Sequence, residues 1–281
     1  MSSVPYPPQR QLSVGEVLDL SFRIYRVTLL PCLLLATCGV IAGELASIYA
    51  LIKGHTMPRG AGGLAVLLAQ LHDPTFVTLY IVGVLLTLLF YAAVLLRQRA
   101  SITTGSGGGE LALALRRMPA MIGLVVLLAI GFTACFVPGA IAAGALSGLL
   151  FLAAAIALCY ALVAVSCAQT ILLIDGEGPL SSLARSWRLT TGSFWRLSII
   201  YTVALMVLIA LYAVIGAVAA VLAALFAHGD VAMVTAFAQV IGIILGAVAT
   251  PFYAALALAV LADLKVRKEG ADLAQRISAT A

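Results

Sequence analysis

Long apolar runs separated by short basic stretches set the pattern of this chain. Six runs are long enough to cross a bilayer: 29–52, 76–96, 121–143, 146–173, 194–226 and 231–264. A hydrocarbon core takes roughly 20 apolar residues per helix. The runs are continuous and lack the period-two alternation of a half-buried strand, so they predict helices. Lipid offers no partner for backbone N–H and C=O groups, and a helix satisfies its own. The last three runs exceed what a bilayer needs, which predicts tilt or projection beyond it.

A short basic stretch occurs three times, each time just before a pair of runs. The copies are Leu18-Asp19-Leu20-Ser21-Phe22-Arg23, Leu111-Ala112-Leu113-Ala114-Leu115-Arg116 and Leu183-Ala184-Arg185-Ser186-Trp187-Arg188. Each reads Leu, two variable residues, Ser or Ala, a bulky apolar residue, then Arg. Helical spacing gives the first an apolar stripe of Val14, Val17, Leu18, Phe22 and Tyr25. The third has Leu180, Leu183, Ala184, Trp187 and Phe194, and the second Leu111, Ala114, Leu115 and Met118. Basic amphipathic helices of this kind lie in the membrane interface. Turn signals precede each copy: Ser13-Val14-Gly15, the glycines from Gly105 to Gly109, and Gly176-Glu177-Gly178-Pro179. Ser13 with Glu16 predicts a capping box, and Pro179 fits a first helical turn.

The expectation is an all-α polytopic membrane bundle. It has about six transmembrane helices and three amphipathic interfacial helices, with a possible threefold repeat. Units of about 12–96, 108–174 and 178–264 lie within one membrane domain, 12–268. A disordered tail, 1–11, precedes it and a cytoplasmic tail, 269–281, follows. The N-terminal residues lack the features of a signal peptide.

Composition agrees: 63% of residues are hydrophobic and 10% charged, against about 25% charged in a soluble domain. Fourteen of the 16 Lys and Arg residues fall on one side of the predicted topology, leaving only Lys53 and Arg59 opposite. By the positive-inside rule the basic side, with both termini, is cytoplasmic. All five cysteines lie in apolar runs, where they read as small buried hydrophobes.

The stretch from Leu12 to Arg26 resembles the start of bacterial proteins similar to the membrane domain of glycerophosphoryl diester phosphodiesterases. Gly178-Pro179-Leu180 through Ser186-Trp187-Arg188-Leu189-Thr190, then Gly192-Ser193-Phe194-Trp195, resembles that family's second signature. The resemblance spans roughly residues 11 to 268 and implies a bacterial inner-membrane protein. Members of that family sometimes carry a cytoplasmic phosphodiesterase barrel with a His-Arg pair and metal-binding carboxylates. Here His55, His72 and His228 are the only histidines and none precedes Arg. About 17 residues follow Leu264, against roughly 250 for such a barrel, so the resemblance does not carry the activity.

Candidate chemistry is sparse. Glu44 is an acid inside a run, and intramembrane acids mark functional sites by default. Gln239 lies at a similar outer-half depth and is its candidate partner. Arg23, Arg26, Arg116, Arg117, Arg185 and Arg188 are candidates for anionic lipid headgroups, which guanidinium groups bind as bidentate donors. Gly242 and Gly246 form a GxxxG, and Gly216 with Ala220 a second small stripe, for helix packing. His55, His72 and His228, with Asp73 and Asp230, have metal-ligand chemistry but no metal spacing. No catalytic residue, metal or cofactor is expected. The leading expectation is a non-enzymatic membrane protein that binds lipid or scaffolds membrane or cytoplasmic partners, with no nucleic acid. The alternative is a small transporter or flippase-like carrier with Glu44 in its path.

Overall fold

A computed structural model describes residues 6–53, 72–103, 108–141, 145–226 and 231–270. His55, Arg59, His228, Asp230, most of the glycine-rich linker and residues 271–281 of the C-terminal tail lie outside these residues. Helices among them are α1 (Val14–Gly43), α2 (Leu45–Ile52), α3 (Pro74–Thr103), α4 (Glu110–Ile141), α5 (Ala145–Val165), α6 (Ala168–Asp175), α7 (Pro179–Thr190), α8 (Phe194–Phe226) and α9 (Val231–Glu269). The described residues contain no strand. Six helices, counting α5 and α6 as one, are long and apolar enough to cross a membrane. The protein is an all-α, multi-pass membrane bundle.

The centre of the bundle is α9, packed against α1, α3 and α8. Ala254, Ala255, Leu256, Leu258, Ala259, Val260 and Leu261 are all buried, so this half of α9 is covered all round. A helix apolar on every side belongs in such a place. By contrast, α8 buries one stripe, Leu197, Ile200, Ala204 and Leu208, while Leu205, Met206, Val207 and Ile209 are exposed. Lipid tails are as apolar as leucine, so a membrane helix need not bury its other faces.

The tightest crossing is between α1 and α3. A Cβ at Gly83 would stand 2.5 Å from the Ala42 carbonyl oxygen, and one at Gly39 would stand 2.8 Å from Phe90 Cβ. With backbones this close, Thr87 Oγ1 donates to the Gly39 carbonyl at 3.0 Å. Gly39 and Gly43 are themselves spaced as a GxxxG. Of the predicted packing residues, Gly246 sits at a crossing, where a Cβ would meet Val40 Cγ1 at 2.9 Å. Gly216 and Gly242 have nothing within 4 Å of a built Cβ, and Ala220 is exposed.

Two of the three basic stretches differ from expectation. The first two are not separate interfacial helices; they are the opening turns of α1 and α4. No turn signal interrupts Arg26-Val27-Thr28, and Pro119 is tolerated inside α4. The third is its own helix, α7, with Gly178 as N-cap and Pro179 in the first turn. It ends before Gly192, whose φ of 80° is the left-handed conformation glycine adopts freely. The Ser13–Glu16 capping box forms in α1.

Two predicted spans are broken. The first stops at Gly43 and restarts after Glu44 as α2. The fourth breaks between Val165 and Ala168. Residues 6–11, expected as part of a tail, lie against the bundle: Pro8 is buried and Tyr6 packs on the core, and next to them the Leu12 N–H donates to Asp263 at 2.8 Å.

Candidate functional site at the basic end of the bundle

The C-terminus of α6 is where most helices meet. The last four carbonyls of any helix lack intrahelical donors and carry a partial negative charge. Here they attract cations from several elements. Arg99 on α3 donates to the Ile174 carbonyl at 2.8 Å. Arg117 on α4 donates to the Leu172 carbonyl at 2.9 Å and also to that of Leu173. Lys265 on α9 pairs with Asp175 at 2.7 Å. Arg185 on α7 pairs with Asp175 at 2.7 Å, Glu177 at 2.6 Å and Glu269 at 2.8 Å. The Glu269 hydrogen bond above all, seconded by Glu177 and Asp175, holds the Arg185 guanidinium even more firmly protonated than usual.

A second knot ties the N-terminal segment to α8 and α9. Asp263, with its side chain 1% exposed, pairs with Arg196 at 2.7 Å and Arg267 at 3.0 Å. Arg196 Nη2 also donates to the Leu12 carbonyl at 2.8 Å. A carboxylate this buried is tolerable because it is paired and fully hydrogen-bonded. Asp263 lies in the last apolar run and sequence reasoning missed it; its two basic neighbours, Lys265 and Arg267, are the signal that could have found it. Beside the knot, Tyr6 packs among Arg99, Ile174, Leu261 and Lys265, where burial pushes its hydroxyl up to about 12.

The three copies of the basic motif share one disposition. The small fourth residue is fully buried in each: Ser21, Ala114 and Ser186 are all 0% exposed. The bulky fifth residue faces outward: Phe22 is 42% exposed, Leu115 62% and Trp187 46%. The sixth, Arg23, Arg116 and Arg188, is exposed in all three. Arg23 pairs with Asp19 on the surface at 2.7 Å. Arg116, Arg188 and the nearby exposed Arg26 form no hydrogen bond or ion pair among the described residues. The six headgroup candidates therefore divide: Arg117 and Arg185 are engaged inside the protein, while Arg23, Arg26, Arg116 and Arg188 present outward.

On α7 the split between faces is clearest. Ser186 Oγ donates to the Ala164 carbonyl at 2.8 Å and Thr190 Oγ1 to the same oxygen at 3.2 Å. Those hydroxyls serve the carbonyl freed by the break between α5 and α6. The opposite face carries Leu180, 67% exposed, and Trp187. Trp187, Tyr160, Phe194 and Trp195 form an aromatic cluster with ring centroids 5.1–5.6 Å apart. Trp195 is 79% exposed. Exposed tryptophan and tyrosine beside arginine is the composition of a membrane–water interface.

Inside the membrane the two singled-out polar residues do not meet. Glu44 is half-buried at the α1–α2 break and its side chain makes no cap hydrogen bond. Gln239 is half-buried on α9, also without a hydrogen bond among the described residues. A half-open cavity of about 200 Å³, with Thr87 exposed at its mouth, lies between α1, α3, α6 and α9, but Glu44 does not line it; Thr87, Tyr91, Gln169 and Thr250 do. No family model, curated protein or solved structure matches the chain.

Proposed function

We propose that this protein is a non-enzymatic, lipid-interacting protein of a bacterial inner membrane, with its basic end and both termini in the cytoplasm. It binds anionic lipid headgroups at that end and offers the surrounding surface to membrane or cytoplasmic partners. The observation that carries this reading is the tripled outward pair of a bulky apolar residue followed by an arginine: Phe22-Arg23, Leu115-Arg116 and Trp187-Arg188. Each pair seats an apolar side chain at the acyl boundary and lifts a guanidinium to headgroup level. The charges that could do chemistry, Asp263, Asp175 and Glu177, are instead consumed in holding helices together. The positive-inside rule supports the orientation, and the resemblance to glycerophosphoryl diester phosphodiesterase membrane domains supports the bacterial setting.

The test is the lipid that copurifies. Wild-type protein should retain anionic phospholipid above its abundance in the membrane of origin. Changing Arg23, Arg116 and Arg188 together to Gln should remove the excess while leaving the fold intact. Near the surface each basic residue is worth about 1 kcal/mol of attraction to an anionic leaflet. An unchanged lipid profile in the triple variant would exclude the headgroup role.

A further inference from the structure

The cavity between α1, α3, α6 and α9 has no part in the reading above, and its lining is chemically selective. None of its described lining residues is charged, and their polar groups come from three different helices. Thr87 and Thr250 spend their hydroxyl protons on backbone, donating to the Gly39 and Gly246 carbonyls at 3.0 and 2.7 Å. Both hydroxyl oxygens are left as acceptors. The Tyr91 hydroxyl and the Gln169 amide make no hydrogen bond among the described residues. They bring the free donors, and Gln169 adds a further acceptor. A polar group in a bilayer without a partner is costly, so these two require one.

The depth is also defined. Thr250 lies about 15 residues from Lys265, roughly 22 Å along the helix, and Gln169 about 6 residues from Asp175, roughly 9 Å. The cavity thus brackets the middle of a core about 30 Å thick. Gln169 sits in the first turn of α6, just past the break in the fourth span at Ser166-Cys167. Broken helices beside midplane cavities are how membrane proteins bring polar groups to a solute.

We propose that this cavity is a binding site for a small uncharged solute that both donates and accepts hydrogen bonds, such as a polyol or an amide. At about 200 Å³ it has room for a solute the bulk of roughly six waters. Tyr91 and Gln169 contact the solute directly, and the absence of lining charge disfavours ions.

Accessibility and protection test this in the full-length protein held in lipid nanodiscs. In a background with the five native cysteines changed to Ala, Thr250→Cys is the reporter, Thr87→Cys a second one, and Ile156→Cys the lipid-facing control. Only the thiolate reacts, and a thiol in hydrocarbon does not ionise. Iodoacetamide, itself a small neutral amide, should modify either reporter at least about tenfold faster than the control. Glycerol or acetamide should slow the reporter reaction, and adding Tyr91→Phe or Gln169→Leu should abolish that protection. Reporter rates equal to the control would mean a dry cavity and overturn the proposal. Fast modification that neither solute slows would mean a hydrated void only, and overturns it too. A size-exclusion profile unchanged from wild type qualifies each variant, and either reporter alone suffices.

Discussion

Glycine at position 83 has no substitute, because any Cβ there runs into the Ala42 carbonyl 2.5 Å away. That oxygen belongs to backbone and cannot rotate aside. Gly83→Ala should therefore push α1 and α3 apart and cost about 1–3 kcal/mol, the usual range for overpacking. Gly242→Ala is the matched control, since nothing lies within 4 Å of a Cβ there. It should be neutral or slightly stabilising through helix propensity. Thermal unfolding of the two variants in one detergent separates them, and equal midpoints would refute the crossing. Spacing alone points to Gly242 as readily as to Gly39, because a GxxxG does not say which helix faces it. Only the register of α3 against α1 selects Gly39, Gly43 and Gly83.

At the scale of elements, α7 shows how a helix reads differently from its two sides. Its apolar residues read in the sequence as a membrane-facing stripe; Leu180 and Trp187 are exposed, while Leu183 packs against the core. What was not legible is the opposite face, where Ser182, Ser186 and Thr190 are buried. Small hydroxyls read as solvent-facing until the break between α5 and α6 leaves the Ala164 carbonyl seeking donors. The break itself has no Pro or Gly to announce it. Replacing Ser186 with Ala and Thr190 with Val together should cost about 1–3 kcal/mol, the desolvation penalty of one unsatisfied carbonyl. The expected sign is a lowered midpoint with the helical content retained. A midpoint equal to wild type would mean that water or another donor serves Ala164. The first and second basic stretches show the converse: their amphipathic pattern was plain, but nothing in it marks whether the helix turns or runs on into the span.

At the scale of the whole molecule, six apolar runs and a one-sided charge distribution made the bundle legible before any contact was known. The hub at the C-terminus of α6 was not, because it draws Arg99, Arg117, Arg185 and Lys265 from four helices far apart in sequence. Counting cations locates an end of the bundle. It does not separate those that hold helices together from those exposed at the surface. A reporter fused after Ala281 should behave as cytoplasmic, with an alkaline phosphatase fusion inactive and a fluorescent protein fusion bright; the opposite pair would invert the topology.

The central claim is that the outward arginines recruit anionic lipid, and the chain carries its own probe for it. Its two tryptophans, Trp187 and Trp195, both lie in the aromatic cluster beside Arg188. Quenching of their fluorescence by phosphatidylglycerol brominated in its acyl chains can be compared with quenching by brominated phosphatidylcholine. At about 1 kcal/mol per surface cation, the anionic lipid should be preferred by roughly fivefold near them at low salt. The preference should shrink as ionic strength rises and vanish when Arg23, Arg116 and Arg188 are all changed to Gln. Equal quenching by the two lipids in the wild-type protein would contradict the account.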